Sequence, residues 1–358
     1  MPSKPTLQSI ADELGVSRST VSNAYSRPEQ LSAELREKIL ETARRLGYPG
    51  PNPAARSLRR GRAGAVGVLF TDVLPYAFAD PYAVQFLRGL AESAEQARTG
   101  LLLIPLSETS DDGVETVRNA SVDAFCLYCV PDGHPALEVI RYRGLPTVSA
   151  GCKYYGPDVS FIDIDERAAT TAVGEHVVQL GHRRIAVISD WLVREGVHTT
   201  QVVEVAAPED LPHHTPRVRL LGFHDALRSA GIDWSQVLVV QAGRNSREEG
   251  AAAAAYALDR AERPTAILCT TDVIALGVLD ALRARGLRPG RDVSVTGYDD
   301  IPEAADAGLT TVHQPSIEKG RVVGELLLNP PGDGSGRRVV MSTSLVVRSS
   351  TGPAPAVS

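Results

Sequence analysis

The stretch Val16–Pro28, VSRSTVSNAYSRP, sets Ser17, Arg18, Ser19, Thr20, Ser22 and Asn23 around only two apolar anchors, Val21 and Ala24. Polar residues this dense mark either a loop or a helix whose outer face meets something polar. The flanks favour the helix. Thr6 is an N-cap for a segment carrying Leu7, Ile10, Ala11 and Leu14 at i, i+3, i+4 and i+7. Gly15 stops that segment, because the turn needs a residue tolerant of positive φ. Ser17 caps a second helix that runs through Tyr25 and is ended by Arg27-Pro28, and Ser32 caps a third with Leu35, Ile39, Ala43 and Leu46 on one face. Gly47 closes it.

Two helices joined by a Gly-containing turn of about three residues form a helix-turn-helix, whose second helix enters the DNA major groove with its N-terminal residues on base edges. Val21 and Ala24 then hold the helix down while Arg18, Ser19 and Asn23 face outward. Arg suits guanine O6/N7 and Asn suits adenine N6/N7, and Ser17, Thr20 and Ser22 are short donors suited to phosphate oxygens. Any two small amphipathic helices can show this spacing, so charge is the next discriminator. The 358-residue chain has net charge −6, yet residues 1–62 hold eleven Lys/Arg against six Asp/Glu, leaving +5 there and −11 on the remainder. A cationic head on an anionic body points to a polyanion partner for the head alone.

The run TLQSIADELGVSRSTVSNAYSRPEQLSAELREKILETARRLGY, gapless from Thr6 to Tyr48, resembles the amino-terminal domain of the LacI/GalR family of bacterial transcription regulators. The resemblance implies that Arg18, Ser19 and Asn23 read bases, and that Leu7, Ser17, Thr20, Ser22, Ser32 and Tyr48 contact the DNA backbone or groove edge. Ser26 departs from the Asn of many members. The next segment, PNPAARSLRRGR, resembles the family hinge, which forms a short helix over the operator's minor groove. There Asn52, Ala55 and Leu58 match DNA-facing positions, with Leu58 as the wedge that kinks the duplex. Pro49 and Gly50 add a residue ahead of it. Composition alone fits a basic, Pro-rich linker equally well.

From residue 63 onward short apolar runs such as AVGVLF, LLLIPL and RRIAVIS alternate with helical patterns, the signature of parallel sheets covered on both faces. Ligands in such folds sit at the carboxyl ends of strands. The pieces LGHRRIAVIS, TDVIALGVLDALRARGLRPGRDVSVTGYDD and LTTVHQP resemble the same family's effector domain. The implied fold is α/β: a three-helix helix-turn-helix head (residues 1–50), a hinge (51–62), and a periplasmic-binding-protein-like body (63–358) of two Rossmann-like lobes. Lobe 1 takes residues 63–163 and 314–342; lobe 2 takes 164–313 and 343–353. Three crossovers near 162–165, 311–315 and 342–345 join the lobes.

Within that resemblance Asp272 stands at the cleft aspartate and Arg219 at the cleft arginine, a fork suited to hydroxyls or a carboxylate. Both sit near helix starts, where acids and arginines are also common as solvated caps. Thr271 replaces the asparagine common before that aspartate. Phe78, in LPYAFADPY, is a candidate to stack on a ligand ring, against the alternative of a lid or packing loop. His198, His213 and His214 lie in an aperiodic segment, 190–216, without metal-ligand spacing. Cys126 and Cys129 form a C-x-x-C inside an alternating strand pattern that sends them to opposite faces.

The expectation is therefore a cytoplasmic transcriptional regulator, a repressor, that binds a pseudo-palindromic double-stranded operator as a homodimer under control of a small-molecule effector, a sugar or related metabolite. The family's tetramer-forming heptad tail is missing after SLVVRSSTGPAPAVS. No membrane partner, cofactor, metal or catalytic residue is expected, since neither a phosphate-binding G-x-x-x-x-G-K-[ST] nor a G-x-S-x-G elbow occurs. Asp299-Asp300 match a structural motif of the family. The alternative is a solute-binding protein of a transport system, opposed by the basic head and the lack of a signal-peptide core.

Overall fold

Capping at both ends makes the head three well-bounded helices. In this computed structural model, which describes residues 5–51, 61–70, 74–106, 112–131, 133–151, 156–193 and 198–356, α1 spans Leu7–Leu14, α2 Arg18–Ser26 and α3 Ala33–Leu46. Thr6, Ser17 and Ser32 each accept a backbone N–H of the first turn, and Gly15 (φ 63°) and Gly47 (φ 70°) end α1 and α3 in the left-handed region. Ile10, Ala11, Val21, Ala24, Ile39 and Ala43 form the head's core. The chain divides into two units at Gly64/Ala65, and each unit has its own core. The hinge residues Asn52, Ala55 and Leu58 lie outside the described residues.

In the body, β1 (Ala65–Phe70), α4 (Tyr76–Ala79), α5 (Pro81–Gln96), β2 (Gly100–Pro105), α6 (Asp112–Asn119), β3 (Ala124–Tyr128), α7 (Ala136–Arg143), β4 (Thr147–Ala150) and β5 (Ser160–Ile164) follow in order. Then come α8 (Glu166–Gln179), β6 (Ile185–Ser189), β7 (Gln201–Val202), α9 (His214–Ser229), β8 (Leu238–Gln241), α10 (Arg247–Leu258), β9 (Ala266–Cys269), α11 (Asp272–Ala284) and β10 (Ser294–Thr296). The chain ends with α12 (Pro302–Asp306), β11 (Thr311–His313), α13 (Ser316–Leu328), β12 (Arg338–Met341) and β13 (Ser344–Val346). One sheet is six-stranded and parallel throughout, in the order β12-β5-β4-β3-β1-β2. The second is ordered β10-β9-β6-β8-β7, parallel except for β7. The chain passes between the two between Ile164 and Glu166, between His313 and Ser316, and between Met341 and Ser344, with β11 and β13 pairing antiparallel where two passes run side by side.

Helix α13 returns to lobe 1 and lies unusually close to α5. A β-carbon on Gly89 would collide with the Ile317 carbonyl oxygen, and one on Gly320 with that of Phe86. Backbone-to-backbone contact of this kind requires glycine. It sets the starts of α5 and α13 side by side.

Three local expectations change. Segment 190–216 is not aperiodic throughout, since it supplies the edge strand β7 and, from His214, the first residues of α9. Strand β2 is an edge strand whose residues alternate in exposure, with Leu102 39% exposed, rather than a strand covered on both faces. Cys129 follows the end of β3 at φ 51° and is exposed, whereas Cys126 is buried, and neither forms a disulfide.

Candidate functional sites: the head surface and the interlobe cleft

Helix α2 is a polar helix held by two residues. Val21 and Ala24 are 0% and 2% exposed, whereas Ser17, Arg18 and Ser19 stand exposed at its start and Thr20, Ser22 and Asn23 are half-buried along its side. The Ser17 hydroxyl accepts from the Thr20 N–H at 3.0 Å and lies 2.6 Å from Ser19 Oγ and 2.8 Å from Thr20 Oγ1, so one capping oxygen gathers two hydroxyls and an N–H at the helix start. Asn23 Nδ2 donates to Gln30 Oε1 at 3.1 Å, which fixes the amide's direction. Ser26 Oγ donates to the Ser22 carbonyl at 2.9 Å, an internal bond. Leu7 packs on the core's edge, and Tyr48 meets Tyr25 edge-on with centroids 6.1 Å apart. Ser32 is an exposed cap on α3.

The body's titratable residues converge where the two sheets' carboxyl ends meet. From lobe 2, Arg219 is 7% exposed and grips Glu166 with Nε and Nη2 at 2.5 and 3.3 Å. Its Nη1 donates to the Thr270 carbonyl, its guanidinium lies 3.9 Å from the Tyr298 ring centroid, and Asp299 stands 4.0 Å away. Burial pushes the Glu166 carboxyl up, but the Arg219 charge and hydrogen bonds outweigh it and hold the group below its usual range. Asp299 behaves oppositely: burial drives its carboxyl well above the usual range against the pull of Arg219.

Lobe 1 contributes Tyr76, Asp80, Tyr82 and Lys319. Tyr76 Oη donates to Asp80 Oδ2 at 3.0 Å and accepts from Asn245 Nδ2 at 3.0 Å, and Asn245 Oδ1 accepts from Thr271 Oγ1 at 2.7 Å. This chain of bonds crosses from one lobe to the other. Tyr82 packs against the cores of both lobes. Its phenol, pushed up to about 12 chiefly by burial, accepts from Lys319 Nζ at 3.3 Å.

Phe78 and Asp272, the other two expected ligand contacts, have different settings. Phe78 is 65% exposed, and the aromatic of that segment that reaches the other lobe is Tyr76. Positions two apart on a helical turn point to opposite sides, so α4 cannot aim both inward. Asp272 is fully buried, and its carboxylate is taken up within the fold: Oδ1 accepts from Thr311 Oγ1 at 2.6 Å and Oδ2 from the Ile301 N–H at 2.9 Å. Burial lifts that carboxyl to about 6. It ties α11 to β11 and to the loop after β10. Arg219 does stand at the lobe junction, although its fork is already occupied by Glu166.

Sequence reasoning missed Glu166, Tyr76, Tyr82, Asn245 and Lys319. Lys319 left a legible trace: with Val323 and Leu327 it forms an i, i+4, i+8 stripe on α13 in which it alone is charged. Of the three histidines, His213 Nε2 faces the Val193 carbonyl at 3.2 Å, and Trp191 meets the rings of His198 and His213 edge-on. Among the described residues no helix is long and apolar enough to cross a membrane.

Residues 6–52 match the model of the bacterial regulatory proteins of the lacI family, and residues 175–351 match the periplasmic binding protein-like domain. The chain is similar to an HTH-type transcriptional regulator of Mycolicibacterium smegmatis, 46% identical over 357 residues and covering 98% of each chain. A solved LacI-family transcriptional regulator from Corynebacterium glutamicum is 36% identical with a TM-score of 0.74, covering 97% of this chain and 99% of that one. The complex of the regulator CelR with cellobiose is 28% identical, with a TM-score of 0.66 and 97% and 99% coverage. Identity of this extent across head and body together leaves the solute-binding alternative without support. The chain belongs to the LacI family: it is a DNA-binding transcriptional regulator with a helix-turn-helix head and a periplasmic-binding-protein-like effector domain.

Proposed function

We propose that the protein is a cytoplasmic repressor, without enzymatic activity, that grips a pseudo-palindromic operator as a homodimer and responds to a small polar metabolite held between the lobes. Two-fold symmetry in the protein calls for two-fold symmetry in the site, with half-sites about one helical turn apart. In this reading Arg18, Ser19 and Asn23 meet base edges. Leu7, Ser17, Thr20, Ser22, Ser32 and Tyr48 meet the backbone and groove edge, and Asn52, Ala55 and Leu58 enter the minor groove. The observation that carries it is the exposed polar start of α2, anchored only through Val21 and Ala24.

The effector's place is the lobe junction around Arg219, Tyr76 and Asn245. A ligand there shifts DNA affinity only as far as it prefers one lobe arrangement over the other. CelR's cellobiose complex favours a carbohydrate or related compound for this chain also. The test is selection of binding sites from random duplex DNA by the full-length protein. A two-fold symmetric consensus is expected, and enrichment of no sequence refutes the reading.

A further inference from the structure

Among the described residues, five charged side chains of the body are buried below a tenth exposure, and four of them have two or more polar or charged partners inside the fold, Arg219 at 4.0 Å being one of those of Asp299. Asp80 accepts from Tyr76 and from the Tyr82 N–H, Arg219 holds Glu166 and Thr270, Asp272 holds Thr311 and Ile301, and Asp299 accepts from Gln314 Nε2 at 2.6 Å. Lys319 is the exception. It is 4% exposed, and among the described residues its ammonium, with three donors, has a single neutral hydrogen-bond partner, the Tyr82 phenol at 3.3 Å.

The groups in electrostatic reach of Lys319 include Tyr82, Glu166, Cys129, Cys126 and Asp163. Among the described residues none of these carboxylates is within 4.0 Å of its Nζ, and Glu166 is already neutralised by both branches of Arg219. Lys319 also sits in the first turn of α13, the end of a helix dipole where a cation is least favoured. Burial works against the ammonium, but Tyr82 and Glu166 outweigh it and hold Lys319 above its usual range, so the residue stays cationic with no carboxylate in contact. Its location is specific: a β-carbon on Gly151 would stand 3.8 Å from the Nζ, which puts the charge against the carboxyl end of β4, on the side where such folds take ligands. Close packing of α5 on α13 through Gly89 and Gly320 holds it there beside Tyr82.

We propose that Lys319 and Tyr82 form an oxyanion subsite of the interlobe cleft, so that the effector carries a phosphate or carboxylate group which Lys319 neutralises. The proposal rests on the cleft reading given above and narrows it from polar metabolites in general to acidic ones. Lys319 then sets specificity, charge against charge, while the carboxylates of the cleft stay engaged within the fold.

The test is thermal unfolding of the full-length protein and its Lys319→Met variant, alone and with inorganic phosphate, glucose 6-phosphate, glucuronate or glucose, against sodium chloride of equal ionic strength. Phosphate and glucose 6-phosphate are expected to raise the wild-type midpoint if the group is a phosphate, and glucuronate if it is a carboxylate. Lys319→Met should weaken that response at least tenfold in ligand concentration. Phosphate bound by the basic head would act on both proteins alike. Equal stabilisation of both proteins, or no wild-type response to any acidic probe, overturns the proposal. Stabilisation by glucose in both proteins would overturn it while leaving the cleft reading intact.

Discussion

Arg219 closes on both carboxylate oxygens of Glu166, a residue 53 positions earlier, so the arginine of the cleft is half of a buried ion pair. Breaking such a pair strands the other charge in a poorly hydrated place, at a cost of about 3–5 kcal/mol. Glu166→Gln is expected to lower unfolding stability by at least ~2 kcal/mol in a denaturant titration. The double variant Glu166→Gln/Arg219→Met should recover part of the loss, because no lone charge remains. A double variant as unstable as the sum of the two single variants would contradict the pairing.

The head makes a prediction that leaves stability aside. Arg18 is exposed at the start of α2 and contributes nothing to the head's core. Arg18→Ala should therefore fold normally and relax preference at one operator base by ~1–3 kcal/mol. Competition among single-base variants of the selected operator measures this. Uniform weakening across all bases would assign Arg18 to phosphate instead.

The carboxyl of Asp272, lifted to about 6, is more readily protonated folded than unfolded. Its stabilising contribution is therefore full below the ordinary aspartate range and disappears as pH rises through about 6. Asp272→Asn does not titrate, so its stability deficit relative to wild type should grow as pH falls from 8 to 5, by roughly 1–1.5 kcal/mol. A deficit that shrinks on acidification would reverse the assignment.

Close contact between α5 and α13 gives a fourth expectation. Gly89→Ala drives a methyl into the Ile317 carbonyl, so the helices must part, at roughly 1–3 kcal/mol. The same change at Gly231, where a β-carbon meets nothing within 4 Å, carries only the strain of its φ of 73°. Comparing the two separates the cost of helix contact from that of backbone strain.

These cases show where the sequence was informative. Thr6, Ser17, Ser32, Gly15 and Gly47 act on neighbours a few positions away, so the head's helices could be bounded by inspection. The alternation of apolar strands and helices likewise announced parallel sheets. The cleft was harder, because its chemistry is built by contacts between distant positions. Tyr76 meets Asn245 169 positions later, and Lys319 meets Tyr82 237 positions earlier. Family resemblance located Arg219 but could not say that Glu166 occupies its fork. It also put Asp272 at a ligand position but could not say that Thr311 and Ile301 donate to its oxygens. For Phe78 and Tyr76 the deciding fact is the rotation of one helical turn, which no composition reveals.

The most direct measurement is equilibrium binding of the full-length protein to its selected operator and to a scrambled duplex of equal length and base content, at moderate salt. The account predicts at least about a thousandfold preference for the operator, the lower end for specific regulators. Equal affinity for the two duplexes would contradict it.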